Sequence, residues 1–178
     1  MPALSIVVEE LTPATLETAL DGLSEVLHAS VLDGASVGFV LPFTIDAARG
    51  FWQAQRGAVA RGDKRILVVR DTNSILGTAT LVVDMAPNGR QRGEVAKVLV
   101  HPAARRRGIA RLLLQAAEDL ARGDGRRTLV LDTAGEAAEQ LYLGMGWRVA
   151  GIIPNYALNI HGVPERTILM FKELSADA

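Results

Sequence analysis

The chain has 178 residues with 19 basic and 20 acidic side chains, a formal charge of −1 and no cysteine. Near-neutral charge gives no overall pull toward nucleic acid or an anionic membrane, and the lack of thiols excludes disulfides, thiolate metal sites and a cysteine nucleophile. Hydrophobic residues make up 49% of the chain, enough for a core. No apolar run approaches the ~20 residues of a membrane helix and the N-terminus lacks a leader pattern, so a cytoplasmic chain is expected, with one domain over 1–174 and a frayed tail at 175–178.

Residues 5–10 are short, β-branched and end in charge, which predicts a first strand. Thr12 and Pro13 fit an N-cap and first helical position, and Leu16, Leu20, Leu23, Val26 and Leu27 recur at helical spacing to about Ser30. After the glycine-containing break at 33–38, a second helix is expected from Thr44 or Asp46 to Arg61, closed by Gly62. Residues 65–70 and 75–83 read as strands joined by a polar hairpin turn at 71–74. Residues 92–100 form the next strand, followed by a helix from Ile109 to about Arg122 with Ile109, Leu112, Leu113, Ala116, Ala117 and Leu120 on its apolar face. Residues 128–132 are almost wholly apolar, as in a central strand covered on both faces. A helix over 136–145, strands over 147–153 and 166–172, and a long connection at 154–164 complete the chain. The order β-α-α-β-β-β-α-β-α-β-β predicts an α/β (α+β) fold with a mixed, mostly antiparallel sheet and about four helices.

The stretch from Val98 to Leu114 carries the main functional signal. An apolar strand (Val98, Leu99, Val100) breaks at His101-Pro102, passes through Arg105, Arg106, Arg107 and Gly108, and continues as a helix from Ile109, Ala110 and Arg111. The first N–H groups of a helix lack backbone partners and sit at the positive end of its dipole, so this layout is an anion site suited to a phosphorylated cofactor. Three arginines at such an end are unfavourable by ~0.3–1 kcal/mol each unless an anion joins them. Glu94 and Asp132, at adjacent strand positions, could bind a cationic amine and relay its proton; equally, Glu94 could be a surface strand residue and Asp132 a turn cap. Strand alternation puts Glu94 on the side of Ala96 and Val98, provided no bulge intervenes. His28, His101 and His161 have no metal spacing, and neither a Walker A nor a Gly-x-Ser-x-Gly pattern occurs, so no metal is expected.

Arg105-Arg106-Arg107-Gly108-Ile109-Ala110 resembles the acetyl-CoA motif Gln/Arg-x-x-Gly-x-Gly/Ala of the GCN5-related N-acetyltransferases, and Ala138 to Trp147 resembles their Ala-x-x-Leu-Tyr-x-x-x-Gly-Phe/Trp signature. The resemblance implies a GNAT fold and a cosubstrate, acetyl-CoA, whose pyrophosphate meets the amides of Arg107 to Arg111. It implies that the edge of Val98, Leu99 and Val100 pairs with the pantetheine, that an amide near Leu99 steadies an oxyanion, and that Tyr142 protonates the departing thiolate. Residues 93–100, 131–133 and 34–39 are similar to the tabtoxin-resistance acetyltransferases, which places the catalytic set on Glu94, Asp132 and Tyr142. The family's usual asparagine seven residues before the tyrosine is Gly135 here. The implied activity is acetylation of a small-molecule primary amine, such as an amino-acid-like antimetabolite, by a monomer or homodimer. Alternatives are a protein or peptide N-acetyltransferase and a non-catalytic acyl-CoA-binding regulatory module. Ser36, Asn155 and Tyr156 are candidate acceptor-site residues, being next to predicted strand ends.

Overall fold

A computed structural model describes residues 6–72 and 74–174. Ser5 of the expected first strand, Asn73 of the expected turn and the tail at 175–178 lie outside the described residues. The order is β1 (Val7–Leu11), α1 (Pro13–Leu32), α2 (Ile45–Arg61), β2 (Lys64–Arg70), β3 (Ile75–Val82), β4 (Arg92–Val100), α3 (Ile109–Gly123), β5 (Thr128–Thr133), α4 (Glu136–Leu143), β6 (Arg148–Leu158) and β7 (Pro164–Glu173), with short 3₁₀ turns at Pro87–Gly89 and Pro102–Ala104. The seven strands form one sheet in the order β1-β2-β3-β4-β5-β7-β6, antiparallel throughout except for β4 and β5.

Local chemistry accounts for the helix ends. Thr12 and Thr15 cap one another at the start of α1, and Thr44 accepts from the Ala47 amide at 3.1 Å at the start of α2. Two layers cover the sheet. α1 and α2 bury Leu16, Leu20, Leu23, Leu27 and Trp52 against Ile66, Val68 and Leu99, while α3 buries Ile109, Leu113, Leu114 and Ala117 against the opposite side with Leu67, Leu81, Val95, Leu129 and Leu131. The Trp52 indole donates to the Leu23 carbonyl at 3.0 Å.

Four expectations need correction. On α3 the buried face is Ile109, Leu113, Leu114, Ala117, Glu118 and Ala121, with Leu112 41% exposed. Glu118 is buried because it accepts from the Trp147 indole at 3.2 Å and the Lys172 ammonium at 2.7 Å, a network linking α3 to β7 and to the turn after α4. α4 ends at Leu143 rather than at residue 145, since Gly144, Met145 and Gly146 form a turn whose amides donate back to α4 carbonyls. The connection at 154–164 is mostly strand: β6 runs to Leu158 and β7 starts at Pro164. A register shift between Ile153 and Ala157, with Asn155 at φ 52°, absorbs the extra residues, and Pro154 is tolerated because β6 is an edge strand. Finally, β5 is covered on one face only. Leu129 and Leu131 are buried, but Asp132 is exposed, because α1 and α2 lie over β1 to β4 and leave the other end of the sheet open.

Candidate active site

β4 and β5 diverge. Their pairing covers only Arg92–Thr128, Gly93–Leu129 and Glu94–Val130, so β4 beyond Glu94 has no partner on its β5 side. An unpaired strand edge offers N–H and C=O groups to a guest amide chain. The slot so opened is a cavity of about 400 Å³ lined by Val95 to Leu99 of β4, by Asp132 to Gly135, by Tyr142, by residues 34–37 and by Glu165.

A bulge shapes the β4 wall. Thr78 pairs with Leu99 and Thr80 with Ala96, so β4 fits one extra residue between those pairs, and Lys97 takes φ 52°. Alternation therefore flips. Val95, Val98 and Val100 pack on the α3 side, whereas Leu99 packs on the α1/α2 side. Glu94 and Ala96, flanking Val95, do share a face, but Val98 is on the other one. The sequence rule fails here because the extra residue is set by the register with β3. Gly77 makes that register possible: a Cβ there would lie 2.7 Å from the Leu99 carbonyl oxygen and 2.9 Å from Ile109 Cγ2.

On the α3 side a second cavity, of about 380 Å³, runs from Val98 and Val100 past Arg105, Arg106, Gly108, Ile109, Ala110 and Arg111 to Leu141 and Tyr142. Gly108 is the N-cap of α3 at φ 77°, a conformation that favours glycine. The first intrahelical bond runs from the Leu112 amide to the Gly108 carbonyl at 3.1 Å, so the amides of Ile109, Ala110 and Arg111 are free of helical acceptors. Arg105 is ion-paired with Asp33, tying this loop to the end of α1, and the neighbouring Arg106 and Arg107 side chains are exposed. His101 accepts from the Ala103 amide at 3.2 Å, a structural use of its ring. Val98, Ala138 and Tyr142 line both cavities, so the groove and the slot meet at Tyr142.

Tyr142 is 6% exposed. Burial, with a contribution from the negative charge of Asp132, pushes its hydroxyl up to about 12. It therefore stays protonated through neutral pH. Asp132 accepts from the Thr167 hydroxyl at 3.0 Å and lines both the slot and an open groove on the α1/α2 side that also contains Glu94, Arg92 and Tyr156. Glu94 thus reaches this α1/α2-side groove, which is distinct from the α3-side one, and Asp132 bridges it and the slot. Ser36 lines the slot, whereas Asn155 sits in the β6 bulge and lines neither cavity. Gly135 is the N-cap of α4 with no side-chain cap.

Sequence reasoning overlooked two residues. Lys97 lines the slot with its ammonium 5.6 Å from the centroid of the Phe51 ring. Burial lowers its pKa, Asp132 opposes that shift, Lys64 adds to it and Glu94 opposes it. The only available signal was a lysine inside an otherwise apolar strand segment. Thr167 gave no signal, since its partner lies 35 residues earlier. Among the described residues no group of three metal-ligating side chains occurs, and no helix is long and apolar enough to cross a membrane.

Residues 32–147 match the profile of the Acetyltransferase (GNAT) family. The IAA acetyltransferase of Azospirillum brasilense is 30% identical over 116 residues, covering 65% of this chain and 72% of that protein. N-acetyltransferase 8B of Rattus norvegicus is 28% identical over 132 residues, covering 72% of this chain and 50% of that protein. The fold is shared with yncA of Salmonella typhimurium, solved with its cofactor acetyl-CoA (TM-score 0.75, 20% identity, 98% of this chain and 96% of that one). It is also shared with a phosphinothricin acetyltransferase of Sinorhizobium meliloti in complex with AcCoA (TM-score 0.75, 19% identity, 96% of this chain and 89% of that one).

Proposed function

The chain belongs to the acetyltransferase (GNAT) family, and we propose that it moves the acetyl group of acetyl-CoA directly to the primary amine of a small molecule inside the β4–β5 slot. The observation that carries this reading is the meeting of groove and slot at Tyr142. A phosphorylated, amide-bearing cosubstrate fits the groove: free amides at the start of α3 suit its pyrophosphate and the β4 edge suits its pantetheine. Acetyl-CoA supplies an activated thioester carbonyl.

The residues then divide the work. Asp132, with Glu94 in the α1/α2-side groove behind it, binds the acceptor ammonium and takes its proton through water. A β4 amide near Leu99 donates to the developing oxyanion, and Tyr142 gives its proton to the leaving thiolate. Ser36 and Tyr156 border the acceptor space, and Asn155 sets the bend of β6 beside it. The stretch 34–37 and Glu165 wall the slot, which supports a small acceptor over a protein chain. The likeness of 93–100 and 131–133 to tabtoxin-resistance acetyltransferases, and the shared fold with a phosphinothricin acetyltransferase, support an amino-acid-like acceptor, handled by one catalytic domain acting as a monomer or homodimer.

The test is thiol release from acetyl-CoA across a panel of small amines and short peptides. Amine-dependent release with small acceptors supports the reading. CoA binding without turnover on any amine would point to an acyl-CoA-binding module, and a preference for peptides to a protein-modifying enzyme.

A further inference from the structure

Lys97 is the positive counterpart to the carboxylates of the slot. The bulge places it on the wall of the cavity that Asp132 also lines, with Glu94 close enough to act on it electrostatically. Its ammonium has no hydrogen bond or ion pair among the described residues. Its neighbours are the Phe51 ring face at 5.6 Å and Gly38, where an added Cβ would lie 4.0 Å from Nζ. A half-buried ammonium with three donors and no protein acceptor is costly unless something in the cavity satisfies it. Lysines normally extend their charged end to bulk water. This one holds it between the Phe51 ring and Gly38, beside a cavity whose wall Lys97 shares with Asp132.

A cavity lined by the carboxylate residues Asp132 and Glu165 as well as by Lys97 complements a molecule carrying both an amine and an anion. We propose that Lys97 is an anion subsite that holds the carboxylate of the acceptor, so that the acceptors are amino acids and close amino-carboxylate relatives. The amine end is drawn to Asp132, beside the β4 edge, and the carboxylate end to Lys97 under the 34–38 stretch. The 34–38 loop beside that end is fastened to α1: the Ala35 amide donates to the Ser30 carbonyl and the Gly34 amide to the Val31 carbonyl, both at 3.0 Å. This rests on the slot being the acetyl-transfer site.

The test uses L-amino acids and their C-terminal carboxamides as paired acceptors, with the wild type, Lys97→Met and Lys97→Arg. The readout is the ratio of kcat/KM for acid over amide, in which the differing reactivity of the two amines cancels between proteins. The Met variant should lower that ratio about tenfold, through KM, and the Arg variant should restore most of it. A fall of less than about threefold, including the case in which both acceptors suffer equally because Lys97 acts as a base or as a latch on Phe51, overturns the subsite. Calorimetric titration of the CoA-loaded proteins with the same pairs reads the subsite without turnover. Tighter binding of acid than amide, lost in the Met variant, supports the subsite even if no amine is acetylated, in which case only the proposed function fails. Equal binding of acid and amide by the wild type overturns it.

Discussion

The Thr167 hydroxyl donates to the Asp132 carboxylate at 3.0 Å, fastening the slot-facing end of β5 to β7. The same hydroxyl lies 3.3 Å from the Thr133 carbonyl, and Thr167 is itself buried. Asp132 is thus held where β4 and β5 part. Thr167→Val keeps the shape and removes the donor, and kcat should fall about tenfold while CoA affinity changes little. Thr167→Ser should recover most of the loss. Steady-state kinetics on both variants check this.

The two carboxylates are not equivalent. Asp132 lines both the slot and the α1/α2-side groove, whereas Glu94 lines that groove alone. Asp132→Asn should therefore lower kcat/KM by about 10²-fold or more, and Glu94→Gln by about tenfold or less. The reverse order, measured on one amine at saturating acetyl-CoA, would move the base to Glu94.

Tyr142→Phe should reduce kcat by about 10²-fold with a far smaller change in CoA affinity, since the ring that lines both cavities remains. The hydroxyl also leaves a mark on stability. Its folded-state pKa of about 12 lies above the unfolded value of about 10. The unfolded chain therefore releases this proton first, and stability falls as pH rises from about 10 toward about 12. Between about pH 9 and about pH 11 the wild type should lose about 1.3 kcal/mol relative to the Phe variant in urea unfolding. A gap independent of pH would show that the ring is not buried as described.

Gly77 guards the geometry of the β4 bulge from the β3 side. In Gly77→Ala the new Cβ meets the Leu99 carbonyl at 2.7 Å, a backbone atom that cannot swing aside. Stability should drop by about 1–3 kcal/mol, and CoA affinity should fall with it because the displaced strand is the edge proposed to bind the cofactor. Urea unfolding and CoA titration, run in parallel, check both effects.

What the sequence disclosed follows from how local each feature is. The β4–loop–α3 junction was readable because a β-branched run, a proline, a glycine and a 3.6-residue period lie next to one another. The bulge at Lys97 was not, because it is set by pairing with Thr78 and Thr80 on another strand. The open face of β5 was hidden for the same reason: Val130 and Leu131 look alike in sequence, and only the lateral reach of α1 and α2 separates them. Glu118 gave no sign of burial, since its partners Trp147 and Lys172 lie 29 and 54 residues away. The extent of β6 was obscured by Pro154, which an edge strand can accommodate.

The central claim is that the groove along β4 and α3 delivers a reacting sulfur to Tyr142 at the mouth of the slot. A crystal structure of the protein with CoA tests this most directly. The pyrophosphate should contact the amides at the start of α3, and the thiol sulfur should lie about 3–4 Å from the Tyr142 hydroxyl, beside the Leu99 amide and facing Asp132. A sulfur on the far side of β4, or one separated from Tyr142 by the body of α4, would contradict the account.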